Sequence, residues 1–335
     1  MPEASNYREK QIVETHEGWS AWVSSDIASP PALDSSDCTI SSSAIDHRKR
    51  RRHYHHNLPV VATPFMKRVE RTGLLLVDEA IGSQRSPSGL AISGDANVGK
   101  TTVLKYFGRS VHRWLQTEIP DATVPVIYRS MATRSTAKDV AISLAQFLGL
   151  PISSSHSRQR ISHAVIETMR SAGTQLLIID DAHRLSFGKK RREESPEYIK
   201  YFADQTGVTI VLAGVRLEDT GLFTSSRADQ LSARYMLLQL DQYARGNKKQ
   251  RQHWCSFITA VENTLSLREH EEGSLAELES YLYDRTQGSA GSVSKLISRA
   301  AVRAIDSKAE RIDREILDAV GLDQTSEIYR SDLTS

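Results

Sequence analysis

The sequence is poor in cysteine. Among 335 residues only Cys38 and Cys255 occur, with no metal-ligand spacing, which excludes a cysteine-based zinc site and points to a reducing cytoplasm. Long apolar runs are also missing. The longest, such as 175–179 and 208–213, are far too short to cross a bilayer, so no membrane partner is expected. The N-terminus is acidic and has no apolar core, which argues against a secretory signal. Net charge is nearly absent as well, at +2, but its distribution is uneven. Residues 1–46 carry eight acids (Glu3, Glu9, Glu14, Glu17, Asp26, Asp34, Asp37, Asp46) against Arg8 and Lys10. The unbroken basic run 48–52 follows, with His47, His53, His55 and His56 around it. Such asymmetry suggests an interaction arm.

The arm is expected over 1–57. Within it, 7–23 reads as a short helix carrying Trp19 and Trp22, which either anchor a partner or fold back on the core. Residues 24–46, rich in Ser, Asp and Pro, read as a flexible linker. From 58 to 243 short apolar strands alternate with amphipathic helices, the pattern of an α/β domain with a parallel sheet. Strands are expected at 89–93, 124–128, 176–179, 208–212 and 236–240. Helices are expected at 64–81, 137–148 and 161–170. After Tyr243 the strands stop, and 244–322 reads as a small helical lid with helices at 248–265, 274–286, 292–305 and 313–320. The tail 323–335 is polar.

The most specific feature lies directly after the first strand: Gly94, Asp95, Ala96, Asn97, Val98, Gly99, Lys100, Thr101, Thr102. This is the pattern G-x-x-x-x-G-K-[ST] between a strand and a helix. A glycine-containing loop lets backbone N–H groups wrap a polyphosphate, and a helix N-terminus adds a favourable dipole. ATP and Mg²⁺ are the expected ligands. Lys100 would reach the β- and γ-phosphates, and Thr101 would hold the metal.

The partner acids come at the end of the third strand, where 176–179 delivers Asp180 and Asp181. Asp180 would bind the metal shell. Asp181 stands where an ATPase usually carries a glutamate that orients the attacking water. One methylene shorter, it predicts slow turnover. Arg234, just before the last strand, suits a finger that points at a neighbouring subunit's γ-phosphate, with Arg227 as a second candidate. Residues 214–216 lack the polar group that often senses that phosphate. In the lid, Lys295 opens a helix where an arginine often meets the nucleotide.

These stretches resemble AAA+ ATPases, and more narrowly the TniB/TnsC family of transposition regulators. The resemblance spans about 60–320 and is carried by 94–102, 124–128, 176–183, 207–214, 227–230 with 234–235, and 288–301. It departs at Asp181 and at Val215, where the family tends to have glutamate and threonine. The resemblance implies ATP hydrolysis and assembly as rings or filaments on double-stranded DNA. It also implies that the protein links a TniQ-type targeting protein to a transposase. In such assemblies the segment after the second strand lines the DNA channel. Here it holds Arg129, Thr133, Arg134 and Lys138 with no acid before Asp139, and Arg158 and Arg160 follow in a Ser-rich loop. These groups suit phosphate contacts without base readout. The basic run 48–52 is a further DNA candidate, whereas 189–192 is neutralised by Glu193 and Glu194. The residues alone leave two other readings open: a helicase-loader-type ATPase, or a signalling ATPase that never touches DNA.

Overall fold

The computed structural model of the chain describes residues 13–26, 29–33, 42–83, 85–153, 155–185, 194–220, 223 and 233–322. The described residues form two compact units. One lies within Met1–Ser25, Pro64–Ala96 and Lys100–Leu240; the other lies within Asp26–Thr63, Asn97–Gly99 and Asp241–Ser335.

The first unit is built on a parallel sheet of five strands: β1 (Gly89–Ser93), β2 (Val126–Ser130), β3 (Leu176–Asp180), β4 (Thr209–Gly214) and β5 (Tyr235–Gln239). Their spatial order is β2-β3-β4-β1-β5. Strands β1, β3 and β4 are buried at every residue, which is why their sequences run apolar without alternation. Parallel pairing requires crossovers. Helix α3 (Pro64–Ile81) leads into β1, and the crossovers contain α4 (Lys100–Glu118), α5 (Ala137–Phe147), α6 (Arg158–Ser171) and α7 (Glu194–Thr206). Buried positions on α3 recur as Met66, Val69, Gly73, Leu76 and Val77, and on α4 as Val103, Leu104, Phe107, Val111 and Leu115, each a single helical face. Helix α5 starts in a capping box, with the Thr136 side chain accepting from Asp139 N–H and the Asp139 carboxylate accepting from Thr136 N–H.

Helix α1 (His16–Ser24) belongs to this same unit. Trp19 is fully buried in its core and Trp22 is half-buried against it, so the two tryptophans fold back instead of standing free. The end of the expected linker, from Ser42, and the basic run 48–52 are helical. Ser42–His56 is a helix, α2, and it packs in the second unit. There it joins α8 (Lys248–Glu262), α9 (Ser274–Glu277), α10 (Glu279–Thr286), α11 (Ala290–Ser307) and α12 (Arg314–Asp318). The core of this unit includes Trp254, Ile258, Leu282, Leu296 and Ile297.

Candidate nucleotide site

The glycine-containing loop connects β1 to α4 at the carboxyl end of the sheet, where open α/β sheets bind ligands. Its turn uses left-handed backbone at Asn97 (φ 63°) and Gly99 (φ 104°). A Cβ on Gly99 would meet nothing within 4 Å, so glycine is required there by backbone angle and not by space. Helix α4 begins at Lys100, directing its first free N–H groups toward the loop. The Lys100 ammonium donates to the carbonyls of Gly94 (2.8 Å) and Asp95 (2.5 Å). Burial lowers its pKa, and Asp180, Asp181 and Asp95 oppose that shift.

Although β4 lies between β1 and β3, Thr101 at the head of α4 reaches the end of β3. Its hydroxyl donates to Oδ2 of Asp180 at 2.6 Å. The same carboxylate oxygen accepts from the Tyr128 hydroxyl at 2.9 Å, and Oδ1 accepts from Asp181 N–H at 2.8 Å. Asp180 is 2% exposed. Burial pushes the Tyr128 phenol up, and the Asp180 charge adds to that shift, so the hydroxyl remains a donor. Asp181 follows in the left-handed region (φ 54°), and its Oδ2 accepts from Ser130 (3.2 Å) and pairs with Arg184 (3.0 Å).

Sequence reasoning did not find the roles of Tyr128 and Ser130. Their signal is the parallel register, which sets Tyr128 opposite Ile178 and Ser130 opposite Asp180. It also missed His183. Just after β4, Val215 N–H donates to Nδ1 of His183 at 3.2 Å. That bond places the imidazole proton on Nε2. Burial lowers the His183 pKa, partly offset by Asp181.

The family model for the bacterial TniB protein matches residues 66–245, more than half of the chain. The chain belongs to the TniB family. No curated protein matches it. Among solved structures, this TniB-family chain is similar to the Aeropyrum pernix ORC1 protein in complex with DNA, at 16% identity and a TM-score of 0.61, covering 84% of this chain and 69% of that one. It is similar to the Aeropyrum pernix ORC2 protein in its ADPNP-ADP complexes, at 14% identity and TM-score 0.57, covering 75% and 65%. Drosophila ORC bound to DNA matches at 15% identity and TM-score 0.54, covering 87% and 69%. The chain thus spans about two thirds of each of these proteins. At these identities the likeness concerns the fold, which is the AAA+ P-loop fold.

The other expected site residues of the TniB chain are dispersed. Arg234 precedes β5, at the end of the sheet opposite the phosphate loop, and pairs with Asp204 at 2.6 Å. That contact and the neighbouring Ser86 hold the Asp204 carboxyl low against the upward effect of its burial. Arg227 lies outside the described residues, as do Cys38, the basic stretch 189–192 and the tail 323–335. Lys295 is exposed on α11 of the second unit.

Thr133 and Arg134 are exposed in the loop after β2, with Arg134 at φ 60°. Lys138 is half-buried in the first turn of α5. Arg129 does not share that exposure. It donates to Ser143 Oγ and to the Glu14 carbonyl, both at 2.6 Å, and pairs with the Glu14 carboxylate at 3.6 Å, so its charge is engaged inside the fold. Arg158 and Arg160 sit in the first turn of α6 instead of a loop, with Arg160 exposed and Arg158 half-buried. In the basic run, Arg51 is buried against Glu310, and Arg48 and Arg52 pair with Asp306. This leaves Lys49 and Arg50 as its exposed members that do not pair with Asp306.

Proposed function

We propose that this chain is an ATP-hydrolysing, DNA-binding regulator of transposition that assembles on target DNA and links a TniQ-type targeting protein to a transposase. The observation that carries the reading is the 2.6 Å contact between Thr101 and Asp180. Two hard oxygen donors meet at the head of the phosphate-loop helix, which fits Mg²⁺. Among the described residues no group of three or more His, Cys, Asp or Glu is arranged to hold a metal ion by itself. That suits an ion that keeps its waters and takes the rest of its shell from phosphate. A bound Mg²⁺ would neutralise charge on the β- and γ-phosphate oxygens. Lys100 would exchange its carbonyl contacts for the same phosphates. Asp181 would orient the attacking water once it leaves Arg184.

Arg234 cannot serve its own site. It stands at the opposite end of paired parallel strands from the loop, a separation of roughly 16 Å over five residues. It opens an edge strand whose Met236 (50%) and Leu237 (42%) are exposed. An apolar edge beside a cation supports a subunit boundary there, with Arg234 facing a neighbour's γ-phosphate.

The loop carrying Thr133 and Arg134 is tied to the acids. Met131 N–H donates to the Asp180 carbonyl (3.0 Å) and Ser135 N–H to the Arg184 carbonyl (3.2 Å). Phosphate contacts on this loop would therefore bear on Asp181. Electron microscopy with a slowly hydrolysed ATP analogue, with and without duplex DNA, tests the reading. Rings or filaments that need both ligands are expected. A monomer under every condition would sink it and leave a signalling ATPase. On DNA, Arg134→Ala with Lys138→Ala should lower affinity alike across sequences and reduce the slope of log affinity against log salt by about one to two. Loss on one sequence alone would refute a backbone contact.

A further inference from the structure

The first unit contains an aromatic column that the proposed chemistry leaves unused. Trp19 of α1 stacks on the Tyr128 ring, centroids 5.5 Å apart and planes 10° from parallel. Its Nε1–H donates to Nδ1 of His112 on α4 at 3.2 Å. Gly108 of α4 makes room for this indole, since a Cβ there would lie 2.8 Å from it. Trp22 leans on Trp19 at 5.1 Å, and the Arg109 guanidinium lies over Trp22 at 5.4 Å. The helix is also fastened along its length. His16 bonds the Thr123 carbonyl (3.1 Å), Arg113 donates to the Val23 carbonyl (3.0 Å), and Arg109 donates to the Ser25 carbonyl. Tyr128, fixed on one side by Trp19, donates its hydroxyl to Asp180.

We infer that Tyr128 is a positioning residue for the metal-binding carboxylate Asp180, and that helix α1 holds it in place by stacking Trp19 on its ring. The inference rests on the proposed role of Asp180. Oδ2 of this buried carboxylate accepts from both Thr101 and Tyr128. Were Thr101 to hold a bound Mg²⁺, Tyr128 would be the donor left on that oxygen and would help keep the carboxylate plane from rotating. Hydrogen bonds behind a metal ligand set its orientation, and losing one typically weakens metal affinity about 10- to 100-fold. The N-terminal helix thereby becomes part of the nucleotide site without touching the nucleotide.

The test is binding of a fluorescent ATP analogue to the full chain, titrated with Mg²⁺. In Tyr128→Phe the ring and its stacking persist and only the hydroxyl is lost. The Mg²⁺ concentration for half-maximal binding should rise about 10-fold, with binding in EDTA and the melting temperature close to wild type. Trp19→Ala should shift the same midpoint in the same direction, and Trp19→Phe should restore most of it. A wild-type Mg²⁺ midpoint in Tyr128→Phe overturns the inference and leaves the proposed function standing. A lower melting temperature in Trp19→Ala with an unmoved midpoint removes α1 from the relay. Analogue binding by the unaltered chain that ignores Mg²⁺ overturns both the role of Asp180 and the inference built on it.

Discussion

Asp181 combines an unusual backbone with an engaged side chain. A non-glycine residue in the left-handed region costs of order 1–3 kcal/mol and persists where its surroundings fix it. Here the bond to the Asp180 carboxylate, the Ser130 hydroxyl and the Arg184 guanidinium do so. Asp181→Asn is expected to keep nucleotide affinity and lower steady-state phosphate release about 100-fold. Unchanged release would remove the water-orienting role. His112 gives a second test at this scale. Burial, with a smaller contribution from His16, lowers its pKa to about 4. The unfolded chain then takes up a proton near pH 6.5 that the folded chain refuses. The contribution is full above about 6.5 and falls as the pH drops toward 4, by at most about 1.4 kcal/mol per pH unit. Thermal melts between pH 4 and 7 should show this slope in the wild type. His112→Gln, which retains an acceptor for Trp19, should flatten it.

Helix α2 shows how one buried charge fixes an element. Arg51 is 0% exposed, and its guanidinium donates to both Glu310 oxygens at 2.8 and 2.5 Å and to the Ser266 carbonyl at 3.1 Å. His55, one turn later, accepts from Ser266 N–H at 3.1 Å. A charge so placed is strongly destabilising when orphaned. Arg51→Met is expected to cost about 3–5 kcal/mol in chemical denaturation, and Arg51→Met with Glu310→Leu much less. Equal losses in both would refute the pair's role. Burial alone would raise the Glu310 pKa, but the Arg51 bonds and charge outweigh it and hold it below 4.5. That stability is therefore present above about pH 4.5 and is lost as the pH falls through the lower folded value. The buried Arg285 of α10 acts similarly at the end of α12, donating to the carbonyls of Leu317 and Val320, both at 3.0 Å.

In the proposed assembly each nucleotide site is completed by a second copy of the chain. Arg234→Ala should bind the ATP analogue within about twofold of wild type, yet lose about 1,000-fold in hydrolysis. Mixing it with Lys100→Ala chains should restore part of the activity, because each copy supplies what the other lacks. No recovery on mixing would place Arg234 outside the reaction. The same geometry separates Arg129 from Arg234, two cations that the sequence alone offers as functional. Arg129 is enclosed by Glu14 and Ser143, whereas Arg234 lies on an exposed edge, held by a partly exposed carboxylate that phosphate could displace.

The parallel α/β unit, the phosphate loop and the acidic pair are legible in the order of residues alone. Each of these is local. Buried central strands must read as continuous apolar runs, and the loop needs glycine and lysine at fixed spacing between a strand and a helix. Strand β1 falls at 89–93 and α3 at 64–81, as apolar periodicity predicts. Only the tertiary structure decided what lies far apart in the chain. It set Tyr128 and Ser130 beside the acids through the β2–β3 register, and Trp19 against Tyr128 across more than a hundred residues. It also made a helix of 42–56, whose charges show no apolar period until Glu310 and Asp306 meet them. Pairing, register and burial are set by partners distant in the chain, and no window of neighbouring residues contains those partners.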